Sequence, residues 1–213
     1  MRKIAHLLFI LTWCALPTCA QSGAWKPLFN GKVTNGWEHV GPGRFVLDHG
    51  LLKSEGGMGL LWYTKEKIGN AKIRVVYKLT GKDTNSGVYI RIPEKPMEPW
   101  MPVNKGNEIQ ILNSGDDAHC TGVVYSFSRV LARPDKPVGE WNTLEITIQG
   151  PHTVVYLNGV KTTDHTQGSP NPPEMHEGDP DRGVRPDAGY IGLQNHDDGS
   201  VIYFREVAVQ PLS

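Results

Sequence analysis

Disulfides are the first thing this chain cannot use, because two of its three cysteines, Cys14 and Cys19, lie within the first twenty residues and only Cys120 stands beyond them. A lone thiol forms no intrachain bridge, so the domain must be held by its apolar core, with Cys120 a small buried hydrophobe or, alternatively, a nucleophile. Charge of one sign is also lacking: 22 Lys and Arg face 22 Asp and Glu, and without Arg2 and Lys3 the balance is about −2. Without a basic excess to displace counterions, nucleic acid is not an expected partner. Apolar residues at helical spacing are missing, which argues against a helical bundle, and beyond residue 20 no apolar run is long enough to cross a bilayer. No zinc signature, phosphate loop or nucleophile elbow is present, and the Gly-rich run Gly56-Gly57-Met58-Gly59 reads as a hairpin turn.

What is present begins with an export signal: Arg2 and Lys3 precede an apolar stretch from Ile4 to Leu16, and Thr18 and Ala20 suit cleavage after Ala20. The expected organisation is a signal peptide over residues 1–20 and one domain over 21–213, exported to the periplasm or outside. Leu16-Pro17-Thr18-Cys19 is a poorer fit to a lipoprotein box, which would anchor the chain through Cys19. Beyond it, short segments alternate apolar and polar side chains: Ile73, Val75, Tyr77 and Leu79; Leu144, Ile146 and Ile148; Ile202 and Phe204. Turn formers separate them, including Asp48-His49-Gly50, Gln149-Gly150-Pro151 and the tight-hairpin signal Asn158-Gly159. With 24 Gly and 16 Pro, about ten to twelve strands predict an all-β, jelly-roll β-sandwich. Two long segments, 93–106 and 164–187, interrupt the rhythm and adjoin the strands that carry the most chemistry.

Those strands are Ser86 to Ile92 and Asn107 to Leu112. Alternation sends Ile109 and Ile111 to one face and Glu108 and Gln110 to the other; likewise Val88, Ile90 and Ile92 oppose Tyr89 and Arg91. An aromatic, a cation, an acid and an amide on neighbouring strands suit a polyhydroxylated ligand; the plain alternative is a solvated outer face with a surface ion pair. Trp37 and Trp141 read as core, while Trp100, in a Pro-rich loop, is placed to stack on a sugar. Glu108, Asp116, Asp117, Asp197 and Asp198 supply carboxylates for a hard divalent cation such as calcium, although no spacing among them matches a metal loop. His119 is a further candidate ligand or base, with His165 and His176 behind it.

Taken in order, Leu28-Phe29-Asn30-Gly31-Lys32 with Gly36-Trp37, Asn85-Ser86-Gly87-Val88 with Arg91, Glu108-Ile109-Gln110, Thr121-Gly122-Val123-Val124-Tyr125, Gly139-Glu140-Trp141-Asn142, Leu157-Asn158-Gly159 and Gly192-Leu193-Gln194-Asn195-His196 resemble the exported bacterial 3-keto-disaccharide hydrolases. The resemblance runs from about Trp25 to the C-terminus. It implies a concanavalin-like sandwich and cleavage of glycosides already oxidised to the 3-keto sugar, some relatives acting as lyases or hydratases through a 2-hydroxy-glycal. The chain departs from the family at Asn113, where an aspartate is usual, at Asp197-Asp198-Gly199 after His196, and at Glu206-Val207 after Arg205.

A ketone at carbon 3 acidifies the hydrogen on carbon 2, so such a site needs a base there, an acid for the leaving oxygen, and donors for the developing enediolate. Glu108 and His196 are the expected proton-transfer groups and Arg91, or a bound cation, the enolate partner. Gln110, Tyr89, Asn85, Tyr125, Gln194, Trp100 and Arg205 are the expected sugar-binding residues, and the substrate is a small carbohydrate. A non-catalytic, lectin-like binding module is the alternative; ordinary two-carboxylate glycoside hydrolysis would need a second acid opposite Glu108.

Overall fold

A computed structural model describes residues 23–32, 34–172 and 176–212, so the expected signal peptide lies outside the described residues. The strands run β1 (Lys26–Phe29), β2 (Trp37–Val40), β3 (Arg44–Asp48), β4 (Leu51–Glu55), β5 (Gly59–Tyr63), β6 (Ala71–Leu79), β7 (Ser86–Ile92), β8 (Asn107–Ile111), β9 (Asn142–Gln149), β10 (His152–Leu157), β11 (Val160–Thr166), β12 (Tyr190–Asn195) and β13 (Ile202–Pro211), with one short helix, α1 (Met101–Lys105), before β8. They form two antiparallel sheets, β11-β10-β9-β6-β13-β4-β3 with β1 also on β13, and β2-β5-β12-β7-β8. This is the jelly-roll sandwich that the alternation predicts.

Period-two patterning builds the core directly. Ile73, Val75, Tyr77 and Leu79 of β6, Leu144, Ile146 and Ile148 of β9, and Ile202 and Phe204 of β13 meet Leu61, Val88, Ile90, Ile109, Ile111 and Leu193 of the smaller sheet. Each fully buried side chain of this kind contributes about 1.5–3 kcal/mol. The alternate residues of the large sheet, such as Lys72, Arg74 and Glu145, face solvent. Asn158 and Gly159, both at positive φ, close the β10–β11 hairpin as expected.

The smaller sheet is covered on both faces, which is why Gly59-Leu60-Leu61-Trp62-Tyr63 is apolar without alternation. Its second face carries Leu60, Trp62, Tyr89 and Ile92 under Met101 and Val103 of α1. That helix was not expected from a segment with four prolines, but Pro102 falls in its first turn, where the missing N–H costs nothing, and Gly106 ends it.

Ile92 also departs from expectation. Arg91 has φ 58°, and the β12 pairing skips from Tyr190 opposite Ile92 to Gly192 opposite Tyr89. This bulge inserts one residue, returns Ile92 to the Tyr89 face and turns Arg91 elsewhere. Gly189 makes room for it, since a Cβ there would sit 2.3 Å from the Arg91 carbonyl carbon. Of the two expected core tryptophans, Trp37 packs edge-on to Tyr63, whereas Trp141 lies half-buried on the outer face beneath Lys78 and Arg205. Finally, β11 extends through Thr166 and the strandless stretches include 112–141, a segment without strand pattern whose middle, 118–128, is nevertheless buried apart from Tyr125.

Candidate active site

The buried middle of segment 112–141 seals the edge of β8. The Gln110 N–H donates to the Val123 carbonyl, and the N–H groups of Gly122 and Tyr125 donate to the carbonyls of Gln110 and Glu108. Tyr125 is thereby fixed beside Glu108 on one wall of a cleft over the second face of the smaller sheet. Asn85, Trp100, Val103, Glu108, Gln110, Tyr125, Gly178, Gln194 and His196 line it, around a cavity of about 50 Å³. That is well below the usual range of ligand sites, so in this form the cleft is a narrow one.

Glu108 is its floor. Only 5% of the residue is exposed, and its carboxylate accepts one long bond, 3.4 Å, from Gln194 Nε2, which donates also to the Tyr89 hydroxyl at 2.6 Å. No cation pairs with it among the described residues, and burial pushes its pKa from 4.5 to about 8. Space for the carboxyl comes from Gly87 on the neighbouring strand, where a Cβ would stand 2.1 Å from Glu108 Oε1. At the rim, His196 Nδ1 lies 2.7 Å from Asp197 Oδ2, and Asp197 is itself anchored by the Ser200 hydroxyl and the Gly199 N–H. A carboxylate only accepts, so Nδ1 carries the proton and Nε2 is the basic nitrogen when the ring is neutral. Trp100 presents its edge to His196 with ring centres 6.3 Å apart.

The amide side chains divide into donors and acceptors. Gln110 takes the Ile111 N–H on Oε1, leaving its NH2 as the donating end, while Gln194 Oε1 and Asn85 Oδ1 are buried without a partner. Orphaned polar atoms of this kind in a cleft are the ones a ligand satisfies. Tyr89 lies beneath the cleft, not on its surface, and orients Gln194.

Two expected site residues are elsewhere. Arg91, 1% exposed, is carried by its bulge to the far end of the sandwich, where it donates to the carbonyls of Pro186 and Gly150 and to Thr153 Oγ1 and lies 3.6 Å from Asp187. Arg205 stacks on Trp141 outside the large sheet. Cys120 is buried, its thiol pushed up to about 11 by burial, which suits packing and not nucleophilic chemistry. His165 is likewise buried, beside Phe127.

The all-oxygen cation set is not assembled: Asp117 pairs with Arg133 at 3.0 Å and Asp197 with His196. Among the described residues, three potential ligands do converge at Asp116, His119 and His176, their ligand atoms within 4.8 Å of one another. Beneath them Asp179 accepts from His119 Nε2, the Ser126 hydroxyl and the His176 N–H. Its burial raises its pKa, but these donors outweigh that and hold the carboxyl below its ordinary value. Gly87, Gly178 and Asp179 escaped sequence reasoning; only Gly87, inside a quoted motif, left a signal, as a glycine in a strand where another group approaches closely.

Three solved structures share the architecture. Two are candidate glycosyl hydrolases from Parabacteroides distasonis ATCC 8503: one is 27% identical, with 89% of this chain and 100% of that one covered at TM-score 0.71, the other 23% identical, with 90% and 94% covered at 0.70. The third, a Bacillus subtilis protein with a galectin-like fold, is 11% identical, with 91% and 98% covered at TM-score 0.58, and shows the fold alone. Likeness to the candidate glycosyl hydrolases, together with its family match, makes this a carbohydrate-active domain. The sequence profile of the 3-keto-alpha-glucoside-1,2-lyase-like domain matches residues 24–210, and the chain belongs to that family. No curated protein sequence matches it.

Proposed function

We propose that this protein is an exported enzyme that cleaves the glycosidic bond of small 3-keto-glycosides by elimination and hydration. The observation that carries the reading is Glu108, a buried carboxyl without a cation partner among the described residues, lining one cleft together with a histidine held by a carboxylate. With a pKa of about 8 Glu108 is mainly protonated at neutral pH and acts as the acid. His196 Nε2 removes the proton from carbon 2; the resulting enediolate collapses to a carbon 1–carbon 2 double bond, and the leaving oxygen takes its proton from Glu108. Water then adds to carbon 1 and the proton returns to carbon 2, which completes hydrolysis.

With Arg91 absent from the cleft, the amide NH2 of Gln110 is the donor offered to the developing oxyanion, and Gln194 Oε1 and Asn85 Oδ1 accept sugar hydroxyls. Glu108 is the one carboxyl among the described lining residues, which disfavours a two-carboxylate glycosidase. Export rests on the N-terminal pattern of Arg2, Lys3 and the apolar stretch that follows.

The test incubates the purified protein with a 3-keto-disaccharide and with its unoxidised parent, following free 3-keto-glucose and 2-hydroxy-glycal. Cleavage confined to the keto substrate is the expected result. Saturable binding of either sugar without turnover would replace this reading with a lectin-like binding module.

A further inference from the structure

The cluster beside the cleft holds more polar chemistry than packing requires. His119 is buried and sits between two carboxylates, with Nδ1 2.7 Å from Asp116 Oδ1 and Nε2 3.2 Å from Asp179 Oδ2. The second oxygen of Asp116 is 2.9 Å from His176 Nε2, and its first also accepts the Ala118 N–H. The two imidazoles stack nearly parallel, centres 3.9 Å apart. If protons alone filled these contacts, His119, which faces a carboxylate through each ring nitrogen, would carry a positive charge, whereas His176 needs a proton only on Nε2. One divalent ion in place of the two shared protons keeps both rings neutral and satisfies the same three side chains.

Asp179 provides an independent indication. Its side chain is 0% exposed, its Oδ1 has no hydrogen-bond partner, and its Oδ2 holds His119 from behind. A buried carboxylate gripping the far nitrogen of a histidine is the support that metal-ligating imidazoles need, because it fixes the tautomer and aims the other nitrogen at the ion.

We propose that Asp116, His119 and His176 form a site for one divalent transition-metal ion, bound through the Asp116 carboxylate, His119 Nδ1 and His176 Nε2. Two nitrogens and an oxygen suit zinc or manganese, not the calcium expected from the acidic residues alone. With metal–ligand bonds of about 2.1 Å, tetrahedral ligand atoms stand about 3.4 Å apart, so the contacts at 2.7 and 2.9 Å need to open by about 0.7 and 0.5 Å while ligand atoms as far as 4.8 Å apart draw together. Asp116 and His176 are exposed, which leaves the outer coordination positions to water. The ion would tie residues 176–179 to segment 112–141, and these two pieces supply Gly178 and Tyr125 to the wall of the cleft.

The experiment strips the purified protein with chelator, dialyses it, and titrates it calorimetrically with Zn²⁺, Mn²⁺ and Ca²⁺ in turn, with bound metal counted by mass spectrometry. One equivalent of zinc or manganese per chain is expected, without saturable calcium binding over the same range. Asp116→Asn and His176→Ala, at exposed positions where folding is checked by circular dichroism, should bind at least tenfold more weakly. Asp179→Asn should lose about tenfold to a hundredfold, and Glu108→Gln nothing. Zinc binding of wild-type strength in both ligand variants, no saturable uptake of zinc or manganese up to millimolar metal, or a preference for calcium would overturn the site. Because uptake is read without any sugar, failure here and failure of the 3-keto reading are separate outcomes.

Discussion

Glu108 and Arg91 are both buried charged side chains on adjacent strands of one sheet, yet they are treated in opposite ways. Arg91 meets three oxygen acceptors and an acidic neighbour; Glu108 has one long bond and no cation among the described residues. A buried charge with most of its donors taken, as at Arg91 where Nε alone is left over, stiffens the fold, whereas a buried carboxyl left short of partners is held in its neutral form and ready to exchange a proton. On the proposed function, the contrast separates a structural residue from a chemical one at two places where the sequence makes them look like a pair.

The largest effect is expected at the structural end. Arg91→Leu removes the hydrogen bonds by which the buried guanidinium ties the Pro186 and Gly150 carbonyls and Thr153 Oγ1 together and should lower stability by roughly 2–5 kcal/mol, measured by denaturant unfolding, with turnover per folded molecule little changed. Lost turnover in a variant of undiminished stability would put Arg91 back in the chemistry and end the contrast.

Glu108→Gln should do the reverse. Turnover of the 3-keto-glycoside is expected to fall by about 10² to 10⁴, while the fold gains where the wild type pays for ionising a buried acid. The folded pKa, about 8, stands above the ordinary 4.5, so the native state binds more protons than the unfolded one between those values. Wild-type stability should therefore decline as pH rises through that window, and the decline should flatten in Glu108→Gln, as read by melting curves across pH. Activity in the wild type should also fall above about pH 8, where the acid loses its proton.

Gly87→Ala sharpens the same point without replacing a reacting group. Its new methyl would meet Glu108 Oε1, so the carboxyl must shift, and about a hundredfold loss in turnover is expected from misplacement alone. An alanine variant with full activity would show that the carboxyl position is not critical. The smallest effect is expected for Trp100→Ala at the exposed rim, about 0.5–1.5 kcal/mol in sugar binding, seen as a raised KM with kcat nearly unchanged.

Much of the cleft was legible because alternation is a local rule: Glu108 and Gln110 had to leave the face that Ile109 and Ile111 bury, and Gln194 and His196 sit where the family motif ends its strand. Arg91 was misplaced because nothing in Tyr89-Ile90-Arg91-Ile92 announces a non-glycine residue at φ 58°. The bulge is held by Gly189, almost a hundred residues away in the chain, and by acceptors on the opposite layer. The wall formed by residues 112–141 was hidden for the same reason, since its hydrogen bonds go to the edge of β8 and leave no periodic trace. Asp179 sits in a segment whose composition marks it only as loop.

By itself the sequence determined the layers: period-two patterning, glycine turns and the absence of helical spacing admit only an antiparallel sandwich, and the ordered motifs place it in its family. Tertiary structure alone decided which polar residues became chemistry. Whether a carboxyl is lifted to a pKa of about 8 or a histidine is gripped by a buried carboxylate depends on distances between segments far apart in the chain, and burial and hydrogen bonding act through space, not along the sequence.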